Sequence, residues 1–224
     1  MNSNILSSIL STRQLTPVQK EPFLNSGISL VEYDAIRIDY LDFALPKSGQ
    51  NAVFTSQNAV RAVFENSTLI ERNDLKSYTC FCVGEKTKQL LERNGQKVIK
   101  KSENAQDLAF FIAKYHKNES FIFFSGNLRR PELPTKLKSE KIDLLEIKSY
   151  KTELNPMFFH QNFDKILFFS PSGVQSFMLK NTMGNSIAIC IGKTTATEAK
   201  KYSKNVIQSH QNSIESVIEL ALKN

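Results

Sequence analysis

The sequence has little of what a metal or redox site requires. It has no tryptophan, and its cysteines and histidines number three each: Cys80, Cys82, Cys190, His116, His160 and His210. Such sites usually show CxxC pairs or closely spaced histidines, and neither spacing occurs here. Cys80 and Cys82 lie two residues apart in an apolar, strand-like stretch, so both should point to one face as buried, reduced thiols. We therefore expect no metal site.

Long apolar runs are also missing. The first run, Ile5–Leu10, is interrupted by Ser7 and Ser8 and has no basic stretch before it, which does not fit a secretory signal. No run approaches the roughly 20 apolar residues that span a bilayer. We expect a soluble, cytoplasmic protein with no membrane partner.

Nucleotide-binding and hydrolase motifs are absent too. Gly192-Lys193-Thr194 is similar to the end of a phosphate-binding P-loop, but Ile187 stands where the motif requires its first glycine. No GxGxxG follows a predicted strand, and no GxSxG elbow occurs. The sequence also offers no acidic cluster for magnesium and no obvious nucleophile–base pair. These absences argue against P-loop, dinucleotide-binding and serine-hydrolase chemistry.

Positive charge is in excess. The 29 basic and 22 acidic residues give a formal charge of +7, a balance that favours anionic partners. Nucleic acid is the common partner of such a charge, and a polycarboxylate is the rarer one. Because no predicted helix carries a dense basic face interleaved with aromatic side chains, we expect no nucleic-acid binding. The scattered lysines are also explained as a solvated surface.

Short apolar runs alternate with amphipathic stretches along the chain. This rhythm predicts an α/β fold with parallel sheets that are covered by helices on both faces. The predicted strands are Ile5–Leu10, Ile28–Glu32, Ala52–Phe54, Tyr78–Val83, Lys97–Ile99, Phe121–Phe124, Leu144–Ile147, Ile166–Phe169, Ile187–Ile191 and Asn205–Ile207.

The chain also repeats itself. At an offset of 114 residues, the matches are Ile9–Ser11 with Phe123–Ser125, Ile28–Glu32 with Ile142–Glu146, and Ser56 and Val60 with Ser170 and Val174. At an offset of 108 residues, the matches are Cys82–Gly84 with Cys190–Gly192, and Val98, Ile99 and Asn104 with Val206, Ile207 and Asn212. We predict two similar α/β domains of about five strands each, with a cleft between them as the default ligand site. Duplication alone leaves open whether each domain is contiguous in sequence.

Five predicted strand-to-helix turns are rich in small hydroxyl residues. They are Ser11-Thr12, Thr55-Ser56, Ser125-Gly126-Asn127, Ser170-Pro171-Ser172-Gly173 and Gly192-Lys193-Thr194-Thr195. Helix capping explains each turn taken alone, because a hydroxyl there accepts a hydrogen bond from a backbone N–H. Taken together the turns suggest anion binding, since helix N-termini carry free N–H donors and partial positive charge.

Tyr150 follows the predicted strand Leu144–Ile147, where the chain could pass from one domain to the other. A tyrosine in such a place most simply packs against a core. Its phenol could also act as a weak acid if it pointed into the cleft.

Six ordered segments carry a family resemblance. They are Val53–Val60, Cys82–Gly84, Phe124–Arg130 with Leu133-Pro134, Tyr150–Thr152, Phe168–Val174 and Ile191–Ala196. Their most specific elements are S-G-N-x-x-R, Y-x-T, F-x-S-P-S-G and I-G-x-T-T-A. This ordered set, which extends from Val53 to Ala196, resembles uroporphyrinogen-III synthase. Gln57 departs from the family, because many relatives have proline there. Lys193 occupies the variable position before Thr194-Thr195, and a lysine at a helix start suits a bound anion.

The resemblance implies two α/β domains joined by a two-stranded linker. One domain would combine residues 1–33 with 154–224, and the other would comprise residues 39–146. The linker strands would be residues 34–38 and 147–153. The resemblance also implies a monomer that needs no cofactor.

The implied reaction is the cyclisation of hydroxymethylbilane, a linear tetrapyrrole with eight carboxylates, to uroporphyrinogen III. The terminal hydroxyl leaves as water, ring D attacks through its substituted carbon, and a spiro intermediate rearranges with inversion of ring D. The protein would thus be a lyase, more narrowly a hydro-lyase, of porphyrin and heme biosynthesis. By the resemblance, Tyr150 would be its general acid, helpful rather than indispensable.

Twelve further residues are expected to bind the substrate, many through backbone N–H groups. They are Thr55, Ser56, Gly84, Ser125, Gly126, Asn127, Ser170, Ser172, Gly173, Lys193, Thr194 and Thr195. The alternative function is a non-catalytic two-domain binding protein for a polycarboxylate or another anion. Such a protein would use the same turns but would not turn over a substrate.

Overall fold

The structure, a computed structural model, describes residues 7–45, 51–65 and 78–223. Its strands within these ranges are β1 (Ser8–Ser11), β2 (Ser29–Glu32), β3 (Ile36–Tyr40), β4 (Asn51–Phe54), β5 (Thr79–Val83), β6 (Lys97–Ser102), β7 (Ser120–Gly126), β8 (Asp143–Leu154), β9 (Lys165–Phe168), β10 (Ile187–Cys190) and β11 (Val206–Gln208). Its helices within the same ranges are α1 (Pro17–Asn25), α2 (Gln57–Phe64), α3 (Glu85–Arg93), α4 (Ala105–Tyr115), α5 (Glu132–Ser139), α6 (Pro171–Met178), α7 (Lys193–Ala199) and α8 (Ile214–Leu222).

The chain divides into two compact units. The first contains the residues up to Arg37 together with those from Glu153 onward, and the second contains Ile38–Thr152. Strands alternate with helices in both units, so the α/β fold predicted from the sequence is confirmed.

The first unit is built on a five-stranded sheet in the order β11-β10-β9-β1-β2, and each neighbouring pair is parallel. Successive residues of a strand point to opposite faces. Leu10 of β1 therefore packs in one core cluster with Phe168 and Phe177, while Ile9 packs in the other with Phe23. Helices cover both faces, as a parallel sheet requires.

The second unit is built on a six-stranded sheet in the order β3-β8-β7-β4-β5-β6. The pairs from β8 to β6 are parallel. Val53 packs with Phe81 on one face, and Phe54 packs with Phe124 on the other, where their rings stack 5.2 Å apart. The sheet has six strands rather than about five because β3 joins it beside β8.

The ends of the predicted strands differ from those of the observed strands, and the difference is largest in β8. β8 is a single strand of 12 residues, so that the predicted strand Leu144–Ile147 and the predicted linker 147–153 are continuous. β1 begins at Ser8, and the first two residues of the predicted strand, Ile5 and Leu6, lie outside the described residues.

All three cysteines are free and buried, as predicted. Cys80 and Cys82 lie in the same core cluster, and Cys190 lies in a core cluster of the first unit. Burial raises the pKa of Cys80 to about 12, that of Cys82 to about 11 and that of Cys190 to about 12. At neutral pH the three thiols are therefore protonated and poor nucleophiles.

Candidate active site

The carboxyl ends of β4, β5 and β7 meet at one edge of the second sheet, because these neighbouring strands are parallel. Thr55 and Ser56 follow β4, Gly84 follows β5, and Gly126 ends β7. In open parallel sheets, ligands bind outside this edge. The sequence-predicted residues of the second unit therefore collect where a ligand is expected.

The turn after β4 brings two hydroxyl groups to the start of α2. Ser56 is the N-cap residue, and its Oγ accepts a hydrogen bond from the N–H of Asn58 at 3.1 Å. Farther along α2, Ala59 and Val60 are buried and hold the helix against the sheet. Thr55 and Ser56 stay half-exposed and line a cavity of about 330 Å³.

Gly84 begins α3 in a conformation that favours glycine. Its φ is +83°, in the left-handed region that side chains with a Cβ rarely adopt. Its N–H donates to the carbonyl of Ser102 at 2.9 Å, and no side chain caps this end of α3. Gly84 thus leaves the start of α3 without a side-chain cap, and such a helix end carries partial positive charge.

The Tyr150 side chain is half-buried, and its ring lies directly against Gly126. A Cβ added at Gly126 would stand 2.4 Å from Cζ of Tyr150 and 2.8 Å from its hydroxyl oxygen. Only glycine at this position leaves room for the ring. Tyr150 lines the same cavity as Thr55 and Ser56, and it also packs on the core cluster that contains Phe124.

Two neighbouring arginines line the same cavity with different partners. Two guanidinium nitrogens of Arg129 bind the carboxylate of Glu146, with Nε–Oε1 at 2.5 Å and Nη2–Oε2 at 2.7 Å. These bonds hold the pKa of Glu146 below its usual value. Arg130 is exposed and forms no ion pair with any residue in the described ranges. Among the described residues that line this cavity, Arg130 is therefore the cation that remains available to an anionic ligand.

The hydroxyl of Ser125 already has a hydrogen-bond partner within the protein. Ser125 is only 2% exposed, and its Oγ donates to Oε1 of Glu146 at 2.7 Å. This side chain supports the Arg129–Glu146 pair and does not face the cavity as a free donor.

Asn127 is committed through its side chain as well. Its Oδ1 accepts from the N–H of Thr152 at 2.8 Å, and its Nδ2 donates to the carbonyl oxygen of Thr152 at 3.1 Å. The side-chain amide thus occupies both polar groups of one backbone residue in β8.

In the first unit, Ser170, Ser172 and Gly173 lie at the start of α6, after β9. Ser170 is the N-cap residue, and its Oγ accepts from the N–H of Gly173 at 3.0 Å. Oγ of Ser172 lies 3.5 Å from Oγ of Ser170. A Cβ added at Gly173 would stand 3.3 Å from Oγ of Ser170 and 3.5 Å from Oγ1 of Thr12, so this helix start packs closely on the turn after β1.

Lys193, Thr194 and Thr195 form the first turn of α7, after β10. Lys193 and Thr194 are exposed, whereas Thr195 is 2% exposed. No side chain caps this helix at Gly192, although Asn212 lies close to it. The exposed pair can meet a ligand through side chains, and Thr195 is placed for packing.

Across residues 7–45, 51–65 and 78–223, no group of three or more histidine, cysteine, aspartate or glutamate side chains is arranged to hold a metal ion. Within the same ranges, no helix has both the length and the apolar character needed to cross a membrane.

Comparison with known proteins identifies the family. A family model described as uroporphyrinogen-III synthase HemD matches residues 20–219. The chain belongs to the uroporphyrinogen-III synthase family. The family comprises lyases that act on a small-molecule tetrapyrrole.

Two solved structures are similar over nearly the whole chain. Uroporphyrinogen-III synthetase from Helicobacter pylori is 19% identical, with a TM-score of 0.72 over 97% of this chain and 99% of that one. A mutant uroporphyrinogen III synthase from the extremely thermophilic bacterium Thermus thermophilus is 11% identical, with a TM-score of 0.65 over 96% of this chain and 97% of that one. At these identities the likeness shows the shared fold. No curated protein sequence gives a match.

Three polar residues that line the cavity, Asn104, Arg129 and Arg130, are not among the residues predicted to bind the substrate. Arg129 and Arg130 directly follow the hydroxyl turn at Ser125–Asn127, and this basic pair was the available signal. Asn104 lines the cavity and caps α4, with its Oδ1 accepting from the N–H of Asp107 at 2.8 Å. Its position after β6 is one at which asparagine commonly caps a helix.

Proposed function

We propose that this chain is a hydro-lyase that converts hydroxymethylbilane to uroporphyrinogen III, with loss of water and inversion of ring D. The observation that carries the proposal is the position of Tyr150. Its ring lines a cavity at the carboxyl edge of the second sheet, beside Thr55, Ser56 and the exposed Arg130. Membership in the uroporphyrinogen-III synthase family supports the same reaction.

Tyr150 is proposed as the acid of the first step. Its phenol gives a proton to the terminal hydroxyl, the carbon–oxygen bond breaks, and water leaves an electrophilic azafulvene on ring A. Ring D then attacks through its substituted carbon to form the spiro intermediate. Fragmentation and reclosure give the product, and the hydrogen that ring D loses on closure balances the proton that the phenol gave. General acid catalysis of this kind contributes about 10²-fold or more to a rate.

The substrate carboxylates are proposed to bind at helix starts and at Arg130. The starts of α2 and α3 carry partial positive charge, and Arg130 adds a full charge beside them. Thr55, Ser56, Gly84 and Gly126 would contact the ligand here. Because the side chains of Ser125 and Asn127 bind other residues, these two would contribute backbone groups.

In the first unit, the starts of α6 and α7 are proposed to bind further carboxylates. The residues concerned are Ser170, Ser172, Gly173, Lys193, Thr194 and Thr195. Lys193 is exposed in the first turn of α7, where a cation is favourable only beside an anion.

This chemistry requires positioning more than it requires reactive groups. The substrate supplies its own leaving group and nucleophile, so that holding the two terminal rings together lowers much of the barrier. The cavity of about 330 Å³ suits a part of the tetrapyrrole rather than all of it. We further propose that residues 34–38 and 147–153 link the domains 1–33 with 154–224 and 39–146, and that the chain acts as a monomer.

Product isomer analysis tests the reaction. Freshly made hydroxymethylbilane is incubated with and without the protein, the products are oxidised, and uroporphyrins I and III are separated. We expect predominantly type III with the protein and type I without it. Tyr150→Phe should lower the rate of type III formation about 100-fold, because the variant keeps the ring but loses the proton.

Tyr115→Phe is the matched control, since Tyr115 is exposed at the end of α4 and away from the cavity. It should form type III product at the unaltered rate. If folded wild-type protein forms type I product and no type III product, the synthase function is refuted. An unchanged rate in Tyr150→Phe would refute the acid role alone.

A further inference from the structure

β8 contains one extra residue directly before Tyr150. Its partners on β7 advance one by one up to the pair Ser125 and Lys148, and the next pair is Gly126 and Tyr150. Ser149 is therefore a bulge residue without a register partner on β7, and it is completely buried. Because side chains alternate along a strand, one inserted residue moves all later side chains to the opposite face.

The bulge determines the face on which Tyr150 lies. Leu144 packs against the core cluster of Val53, on one face of the sheet. Ile147 packs against the core cluster of Phe124, on the other face. Without the bulge, Tyr150 would share the face of Leu144, since the two positions differ by an even number. With the bulge, Tyr150 joins the cluster of Phe124 and reaches Gly126.

Asn127 holds the strand just after this bulge. β7 ends at Gly126, so its backbone ladder stops at Tyr150. Beyond that point, the Asn127 side chain accepts a hydrogen bond from the N–H of Thr152 and donates one to its carbonyl oxygen. The side-chain amide therefore replaces the backbone hydrogen bonds that one more residue of β7 would have made. On the bulge itself, the N–H of Leu41 donates to the carbonyl of Ser149 at 3.0 Å.

We propose that Asn127 is a positioning residue for the Tyr150 phenol, which it keeps on the Gly126 face by fixing the register of β8 at Thr152. The proposal rests on the acid role of Tyr150 in the proposed function. It gives the Asn127 side chain a task other than binding the substrate. A displacement of about 1 Å in a catalytic group can cost up to about 10²-fold in rate.

A double-mutant cycle tests the proposal. Asn127→Ala should lower kcat for type III formation about tenfold and leave KM nearly unchanged. In the Tyr150→Phe background, the same change should lower kcat no further, because there is no longer a phenolic proton to position. Asn127→Asp keeps the acceptor for the Thr152 N–H but loses the donor, so its kcat should lie between those of wild type and Asn127→Ala.

Asn181→Ala is the matched control. The Asn181 side chain also clamps backbone, accepting from the N–H of Phe159 at 2.9 Å and donating to the carbonyl of Met157 at 2.7 Å. It lies in the first unit and does not line the cavity of Tyr150. Asn181→Ala should lower the melting temperature by about as much as Asn127→Ala does, while its kcat stays equal to that of wild type.

A readout without turnover separates this proposal from the synthase function. The ¹³Cζ resonance of Tyr150, assigned by its absence in Tyr150→Phe, should shift in Asn127→Ala and stay unshifted in Asn181→Ala. Multiplicative kcat losses in the cycle, a raised KM in Asn127→Ala or an unshifted resonance would each overturn the positioning role. Failure of wild type to form type III product, with the resonance shifting as expected, would overturn the function and leave the structural link between Asn127 and Tyr150.

Discussion

Glu32 and Glu146 occupy the same position of the internal repeat, 114 residues apart, but their carboxylates bind different kinds of partner. Glu32 ends β2, where its carboxylate accepts from the N–H of Leu15 at 2.7 Å and pairs with Lys20 at 2.6 Å. Glu146 lies within β8, where its carboxylate binds the Arg129 guanidinium and the Ser125 hydroxyl. Glu32 thus holds the loop that follows β1, and Glu146 holds the loop that follows β7.

The difference shows how one half of a repeat can acquire a site. In the first unit the fixed loop leads into α1, which Thr16 caps, and β2 stops at Glu32. In the second unit the fixed loop carries Arg130, and β8 continues past Glu146 to bring in Tyr150. The same carboxylate thus supports a helix start in one unit and the proposed acid and cation in the other.

The largest expected effect comes from removing the space for the Tyr150 ring. In the first unit, the position equivalent to Gly126 holds Thr12, which is buried and donates to the carbonyl of Leu167 at 2.7 Å. In Gly126→Ala the new Cβ would stand 2.4 Å from Cζ of Tyr150, so the ring must move. Type III formation should fall about 100-fold. Unfolding in urea should show a loss of about 1–3 kcal/mol from overpacking.

The Tyr150→Ala background serves as the control for this steric argument. There the ring is gone, so adding Gly126→Ala should cost little further stability. A full cost in that background would place the strain elsewhere and break the proposed link between Gly126 and the acid.

Periodicity was enough to predict the strands that form the site edge. Their apolar runs, such as Ala52–Phe54 and Phe121–Phe124, are buried on both faces, which leaves a strong local signal. The hydroxyl caps were predictable because they also depend on a local signal. Ser56 and Ser170 each stand between a strand and a helix, and capping depends only on residues two or three positions away.

The face of Tyr150 was not predictable in this way. The bulge at Ser149 depends on how β8 pairs with β7, and one inserted residue in a 12-residue strand leaves no distinct pattern in the sequence. The roles of Arg129 and Arg130 were hidden for a similar reason. The two residues are identical and adjacent, and a contact with Glu146, 17 residues away, decides which one is neutralised.

A smaller effect is expected from the exposed cation of the second unit. Arg130→Gln removes the unpaired charge of the cavity, so KM for hydroxymethylbilane should rise about tenfold while kcat stays nearly constant. Arg93→Gln makes the same change in charge at the exposed end of α3 and should leave KM unaltered. Initial rates over a range of substrate concentrations measure both. An unchanged KM in Arg130→Gln would remove this residue from carboxylate binding.

The smallest expected effect is the change in stability and KM when Glu146 or Glu32 is neutralised. Glu146→Gln weakens the bonds to Arg129, which are partly exposed, so stability at pH 7 should fall by about 1–2 kcal/mol. The folded-state pKa of Glu146 is lowered, chiefly by its hydrogen bonds from Arg129. Its carboxylate therefore stabilises the fold above the unfolded-state pKa of about 4.3, and this stability is lost as pH falls through the lower folded-state pKa. Urea unfolding of wild type and variant should thus converge in acid.

Glu32→Gln is the matched variant in the first unit, because it removes the same charge at the same repeat position. It should lower stability through Lys20 and leave KM unchanged, since no residue that it contacts lines the cavity. Glu146→Gln should change KM, because it removes a negative charge from beside the cavity and loosens Arg129, which lines the cavity together with Arg130. Equal KM values in the two variants would mean that both carboxylates serve stability alone. The site would then depend on the extension of β8 and not on the charge that the repeat preserves.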